Sequence, residues 1–312
     1  GRGGFYDAVD FMQFSGETGL TIRMGERAGY GLHLGGHAQV SLGVLMGNTA
    51  LGLDEITVAA GAGLPSAAFV GCYDIGRPLR TDTGLAQKPS AHLKESKTGS
   101  LALKEQEVTA IWQHRASVEW ASVPAFTQLA QQLYVAHAPP SLIKRAHLAA
   151  EDELDHAVIS AGMASRSSNE TLELGEPDTS HRLPVQGPEA LKRLAVESWL
   201  DGCLGEGSAA AVARQEAATV RDPILRGTQT QIAKDEQAHA DLAWDILEWA
   251  CQQGGKEVVQ AVEAVRDLMP PDEGVSVPCG LEDCGLVSSE QMNTIYMQER
   301  KKSLKRLDTM LF

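Results

Sequence analysis

The 312-residue chain is poor in aromatic residues and in positive charge, and it lacks a long apolar run. Aromatic residues make up only 5% of it, while alanine is abundant, a composition that suits closely packed helices. The net charge of −14 disfavours nucleic acid or an anionic membrane as a partner, because both are negatively charged. No apolar run approaches the roughly 20 residues of a transmembrane helix. We therefore expect neither nucleic acid nor a membrane as a partner.

Cysteine is also scarce, and its spacing is irregular. The five cysteines are an odd number and give neither a regular disulfide framework nor a complete zinc site. Cys279 and Cys284 lie near enough in sequence for a local bridge or half of a metal clip, with no second pair to complete it. We predict mostly reduced thiols and a cytoplasmic location. The first residues, GRGGFYDAVD, contain no initiating methionine and no signal-peptide core, so we expect a processed or trimmed N terminus.

Glycine divides the chain into two parts. Residues 1–100 hold most of the 31 glycines, and short alternating runs such as LTIRMG and EITVAA are typical of strands and turns. We predict a small glycine-rich, β-containing domain and linker over 1–100.

From about residue 103 the pattern becomes helical, with long alanine- and glutamate-rich stretches. We predict four helices, at 103–137, 141–163, 189–220 and 223–253. The connections are short, long and short, which is the pattern of a four-helix bundle with one long crossover. We assign 101–254 to this bundle and 255–312 to a C-terminal helical extension, so the fold class is mainly α.

The motif D-E-x-x-H occurs twice, once in the second and once in the fourth predicted helix. Its members are Asp152, Glu153 and His156 in the first copy, and Asp235, Glu236 and His239 in the second. The other two helices each carry a glutamate among small or apolar residues, Glu119 and Glu206. The chain therefore repeats a helix pair, with helices 1 and 2 as the first half and helices 3 and 4 as the second.

The spacing of the motif predicts a shared metal site. A glutamate and a histidine at positions i and i+3 lie on one face of a helix and can bind the same ion. A single E-x-x-H is usually a solvated helix face, but two copies with matched glutamates give four carboxylates and two imidazoles in a bundle core. Four buried carboxylates are costly without compensation, and two divalent cations supply four positive charges. We predict as metal ligands and catalytic residues Glu119, Glu153, His156, Glu206, Glu236 and His239.

Three further residues are predicted to support the site. A metal-bound imidazole usually donates its other N–H to a carboxylate, so the symmetry of the repeat predicts that Asp152 orients His239 and Asp235 orients His156. Cys203 lies one turn before Glu206. It is either a thiol that supports the ligands or acts as a redox partner of the metals, or a small core residue.

These residues resemble the ferritin-like superfamily over roughly 103–253, through the two glutamates and the motifs EDELDH and KDEQAH. The chain is more narrowly similar to a group of largely uncharacterised bacterial ferritin-like domain proteins. This similarity is carried by GCYDIGRPLRTD, DGCLGEGSAAA, IAKDEQAHADLAW and LEDCGLVSSEQ.

The superfamily resemblance implies a dinuclear iron centre that reacts with oxygen or peroxide. It also implies Glu153 and Glu236 as bridging ligands and Glu119 and Glu206 as terminal ones. The glycine-rich first 100 residues have no counterpart in minimal ferritins, which argues against simple iron storage.

Three functions stay open at this stage. The first is an oxidoreductase whose di-iron pair activates O2 or peroxide to oxidise a small organic substrate, with an electron donor still to be identified. The second is a ferroxidase or peroxide-handling protein without an organic substrate. The third is a binding protein with a structural metal pair. Manganese or a mixed Mn/Fe pair would use the same ligands, and a homodimer is left open.

Overall fold

The structure is a computed structural model. It describes residues 77–80, 103–168, 171, 173–175, 182–269 and 275–311, together with the backbone of six short strands nearer the N terminus. The chain divides into two compact units. One comprises Gly1–Phe69 and Arg80–Ala86, and the other comprises Val70–Leu79 and Gln87–Phe312.

The first unit contains short antiparallel strands. A four-stranded sheet has the order β1-β2-β3-β4, and a separate pair joins β5 to β6. The strands are β1 Met12–Phe14, β2 Gly19–Arg23, β3 Gly31–Gly35, β4 Gln39–Ser41, β5 Val44–Leu45 and β6 Thr57–Val58. Most of residues 1–100 lie outside the described part of the chain, so the β-containing domain and linker stay a prediction.

The second unit is helical, and the expected mainly helical bundle is confirmed for the described residues. Its elements are α1 Leu103–Val135, α2 Pro140–Ser168, α3 Pro188–Glu197, a π-helical segment Ser198–Glu206, α4 Gly207–Thr219, α5 Pro223–Val265, a 3-10 turn Glu282–Cys284 and α6 Ser289–Leu311. Helix α1 packs on α2, while α3, the π-helical segment and α4 pack on α5. No helix among the described residues is both long and apolar enough to cross a bilayer.

Proline and aspartate set the start of α5, and with it the position of the second D-E-x-x-H. Pro223 occupies the first helical turn, where its missing N–H costs nothing. The Asp222 carboxylate caps the helix by accepting from the backbone N–H of Ile224 (2.8 Å) and of Leu225 (3.3 Å). The helix runs to Val265, well past the predicted end at 253, with a kink at Gly255, where φ is 57°.

The predicted third helix is continuous from 188 to 219, but its middle is a π-helix, hereafter the π segment. A Cβ added to Gly202 would lie 2.2 Å from the Ala243 Cβ. Glycine at this position therefore lets α5 approach the π segment closely. Such π-helical stretches are rare and concentrate at functional sites; this one ends at Glu206.

Candidate metal centre

All six predicted ligands come together in the interior of the bundle. Helix α1 supplies one, α2 and α5 two each, and the π segment one. They form two overlapping groups, and within each group the potential ligand atoms all lie within 4.8 Å of one another. The first group is Glu119, Glu153, His156 and Glu236; the second group is Glu153, Glu206, Glu236 and His239. Two glutamates belong to both groups, as ligands that bridge two ions must.

Five of the six candidate ligands are buried, and the sixth, Glu119, is partly exposed. Glu153 and Glu206 are 0% exposed, and Glu236 and the two histidines are at most 3% exposed. The regular helices α2 and α5 explain this burial, because a residue and its neighbour three positions on point to the same face.

Many polar atoms that face the centre lack hydrogen-bond partners. Both carboxylate oxygens of Glu153 and of Glu206 are buried without one, as is one oxygen each of Glu119 and Glu236. The Nδ1 atoms of both histidines are likewise buried without a hydrogen-bond partner. Buried polar groups in proteins are normally hydrogen-bonded, so a cluster of such acceptors facing one centre fits cations. The group could therefore hold metal ions, and carboxylate and imidazole donors suit iron, manganese and zinc alike.

His156 is held between the centre and a carboxylate from the other half of the repeat. Its Nδ1 lies 3.4 Å from Glu236 Oε1, and its Nε2 lies 3.4 Å from Asp235 Oδ2. Gln231 fixes this aspartate, because its Nε2 donates to both carboxylate oxygens at 2.8 and 2.9 Å. The predicted partner of His156 is thus in contact with it.

His239 has the mirror arrangement. Its Nδ1 lies 3.2 Å from Glu153 Oε1, and its Nε2 lies 3.2 Å from Asp152 Oδ2. The two supporting aspartates differ in environment, because the Asp152 side chain is 39% exposed and that of Asp235 only 17%. The predicted crossing of aspartates between the halves is therefore present on both sides, with one partner more open to water.

Burial and mutual repulsion raise the pKa of the two outer carboxyls. Burial is the largest cause for Glu119, followed by the charges of Glu153 and Glu236, and its pKa lies well above the usual range. At Glu206 burial is again the largest cause, followed by the charges of Glu236 and Glu153, and its pKa also lies well above the usual range. In the metal-free site these groups therefore hold their protons to a higher pH than usual, and metal binding would displace those protons.

The pKa values of the two histidines are also raised, which favours their positively charged forms. Burial by itself lowers the pKa of His156, but the adjacent carboxylates of Asp235 and Glu236 outweigh it and raise the pKa to about 11. Burial is likewise the largest single effect at His239, and Asp152, Glu153 and Glu236 outweigh it, so that its pKa is well above the usual value. The metal-free site therefore balances its carboxylates with imidazolium groups, which a metal would replace.

Cys203 lies in the π segment, 2% exposed, and among the described residues it is not a member of either group of ligand atoms. Burial raises the pKa of its thiol well above the usual value, while Arg306 and Arg77 act in the opposite direction. A protonated thiol is a poor ligand and nucleophile, which favours the reading of Cys203 as a core residue.

A cavity next to the first group was not predicted from the sequence. It has a volume of about 60 Å³ and opens on Glu119 and Glu236. Its walls are mainly apolar and include Ile111, Val118, Val212, Ile232, Val277 and Met292.

An ion pair of Arg115 and Glu216 also lines the cavity. Arg115 Nη1 donates to Glu216 Oε2 at 2.9 Å and Nη2 donates to Oε1 at 2.5 Å. The Glu216 carboxylate additionally accepts from the backbone N–H of Val287 at 3.2 Å. The one available sequence signal was the position of Arg115, four residues before Glu119 and hence on the same face of the helix.

The opposite side of the centre is filled. The Phe126 ring is 1% exposed, and its centroid lies 5.0 Å from that of His239. The Arg77 guanidinium lies over Phe126 at 5.2 Å, and the Arg77 carbonyl accepts from the Ser122 hydroxyl at 3.0 Å. Arg77 belongs to GRPLRTD, so part of that stretch packs against the bundle near the second group.

Comparison of the chain with protein-family models, with curated proteins and with solved structures found no match. Any assignment of function therefore depends on the chemistry of the site itself.

Proposed function

We propose that the chain is a ferritin-like di-iron oxidoreductase that activates O2 or peroxide to oxidise a small organic substrate. One observation carries this proposal: buried carboxylate and imidazole atoms without hydrogen-bond partners lie next to an apolar cavity. A purely structural metal pair has no need of such a cavity.

In the proposed enzyme, Glu153 and Glu236 would be shared by the two ions, because each belongs to both groups of ligand atoms. Glu119 and Glu206, which belong to one group each, would each hold one ion. When bound, iron supplies the redox chemistry with oxygen or peroxide, and an external electron donor completes the cycle.

The remaining residues orient the ligands and exclude water. Asp235 and Asp152 hold the histidines by their Nε2 atoms, so that each Nδ1 faces the centre. The apolar cavity walls place an organic molecule beside Glu119 in a water-poor environment, which protects reactive species from side reactions.

A ferroxidase or peroxide-handling activity is the second candidate. The small volume of the cavity favours it, because 60 Å³ readily accepts oxygen, peroxide or water but restricts the size of an organic substrate. Iron oxidation in many turnovers, without any effect of organic additives, would support this candidate over the first.

Two measurements test the proposal. Elemental analysis of the purified protein should give two metal ions per chain, with iron as the main metal. Rapid mixing of the anaerobic, ferrous-loaded protein with oxygen should give a transient change in visible absorbance, whose decay is accelerated by a bound substrate from a screen of small organic molecules.

A matched pair of variants makes this test specific. Glu153→Gln removes a fully buried ligand, whereas Glu151→Gln changes an exposed glutamate on the same helix. Metal content and oxygen reactivity should be lost in the first variant and kept in the second. A protein that binds two irons and reacts with oxygen at the same rate with every additive would refute the substrate-oxidising function.

A further inference from the structure

The two halves of the repeat differ in what lies beside the metal ligands. When Glu119 is aligned with Glu206, Phe126 aligns with Ala213, seven residues further along each helix. Both positions are buried, at 1% and 4% exposure. Phe126 fills the space next to His239 with its ring, whereas Ala213 lines the cavity that opens on Glu119. A large side chain thus closes one side of the centre, and a methyl group leaves the other side open.

The charged groups that line the cavity already have partners, and His114, which also lines it, has an interaction of its own. Arg115 and Glu216 form a two-point ion pair with each other. Glu119 and Glu236 are predicted to face metal ions. A cation entering the cavity would lose its hydration without gaining an uncommitted carboxylate, and an anion would gain a partner only by ligating a metal ion, so the cavity walls themselves do not compensate a charge for its lost hydration. The cavity therefore suits an uncharged, apolar molecule.

The cavity volume limits the size of that molecule. It measures about 60 Å³, whereas a water molecule needs roughly 10–15 Å³ on this scale and a cavity of about 150 Å³ accepts benzene. The space can therefore enclose a molecule larger than water, and it is too small to enclose benzene.

We infer that the protein admits a small, uncharged apolar molecule beside the Glu119–His156 metal position only, and that Ala213 is the residue that keeps this position open. The inference deepens the proposed function and rests on it for its biological purpose. Binding to the cavity, however, requires neither iron nor turnover, and it is therefore testable by itself.

Xenon is a suitable probe because it is uncharged, apolar and visible in electron density. Crystals of the zinc-loaded protein under xenon pressure should show xenon in the cavity next to Glu119 and none beside His239. Ala213→Phe should remove the xenon while the protein keeps two zinc ions per chain. If this variant does not fold, Ala213→Leu should lower the xenon occupancy at least several-fold.

The reciprocal variant tests the role of the matched position. Phe126→Ala should create a second xenon site next to His239, because it removes the ring that fills that space. Xenon that persists after substitution of Ala213 would overturn the inference. So would an absence of cavity xenon in the wild-type protein, or xenon already present next to His239.

Charge selectivity is tested with acetone and guanidinium, which are both planar and have the same number of heavy atoms; a cation is used because an anion could ligate zinc. In solution, acetone should displace xenon from the zinc-loaded protein, as followed by xenon NMR, and guanidinium at the same low concentration should not. Displacement by guanidinium as effective as that by acetone would overturn the preference for an uncharged molecule. These readouts do not depend on oxygen reactivity, so the proposed function and the cavity inference fail separately.

Discussion

Asp152 Oδ2 lies 3.2 Å from His239 Nε2, so a carboxylate from one half of the repeat holds an imidazole of the other half. Asp235 does the same for His156 at 3.4 Å. These crossed contacts join α2 to α5 around the centre. Loss of one aspartate is therefore expected to affect metal binding more than folding.

We predict that Asp235→Asn weakens zinc affinity by about 10- to 100-fold, the usual effect of removing a carboxylate that supports a ligating histidine. Asp152→Asn should have a smaller effect, because its side chain is 39% exposed and water can replace it. Competition with a chromophoric chelator measures both affinities. Asp155→Asn, at an exposed position on α2, is the control and should leave affinity unchanged. Equal affinities in all three variants would contradict the orienting role.

We predict that the metal-free protein loses stability as pH rises from about 5 to about 8. The pKa values of Glu119 and Glu206 are raised well above their ordinary value of 4.5, so the folded chain holds protons that the unfolded chain has released. The pKa of His156, raised from 6.5 to about 11, acts in the same direction. Each of these three groups stabilises the folded chain fully below the pKa that the group has in the unfolded chain. This stabilisation declines as the pH rises above that value. The carboxyl of Glu236, with a lowered pKa, titrates below this window.

Thermal unfolding of chelator-treated and zinc-loaded protein across this pH range measures the effect. The stabilisation by zinc should grow with pH, because the ions replace the site's protons. The double variant Glu119→Gln and Glu206→Gln should make the metal-free curve less steep, since neither amide titrates and only the histidine contribution remains. Parallel curves for the metal-free and zinc-loaded protein would exclude this linkage.

The local patterns of the sequence carried most of the information about the site. In a regular helix, the spacing of Glu153 and His156 determines that both side chains share a face, and the second copy of the motif supplies their partners. The π segment could not be predicted in this way. The close approach of Gly202 to Ala243 depends on tertiary packing, not on local helical propensity.

The cavity and its ion pair were missed for a related reason. Arg115 and Glu216 are 101 residues apart, and neither lies in a motif that indicates a partner. The repeat did contain one usable signal, because Phe126 in the first half aligns with the much smaller Ala213 in the second. A difference in side-chain volume between matched positions indicates a void only after the alignment of the helices is known.

We predict that Glu216→Leu and Arg115→Met each destabilise the protein, the latter by roughly 3 kcal/mol, because it leaves the Glu216 carboxylate buried and unpaired. That side chain is 1% exposed. The double variant should lose less stability than the two single variants added together, since it leaves no charge buried without a partner. Urea unfolding measures these free energies.

Lys302→Met breaks an exposed ion pair with Glu299 and should change stability by less than about 1 kcal/mol. Additive effects of the Arg115 and Glu216 variants would show that the pair contributes nothing as a unit.

We predict that Gly202→Ala destabilises the fold by about 1–3 kcal/mol, since an added methyl group would overlap the Ala243 Cβ and force α5 away from the π segment. Ala243→Gly in the same chain should restore part of the loss.

Gly207→Ala is the matched control: its added Cβ meets no atom within 4 Å, and a helical alanine is favoured by up to about 1 kcal/mol. Because Glu206 ends the π segment, Gly202→Ala should also weaken zinc binding, whereas Gly207→Ala should not. Unfolding in urea and chelator competition distinguish the two effects, and unchanged stability in Gly202→Ala would refute the close packing of α5 on the π segment.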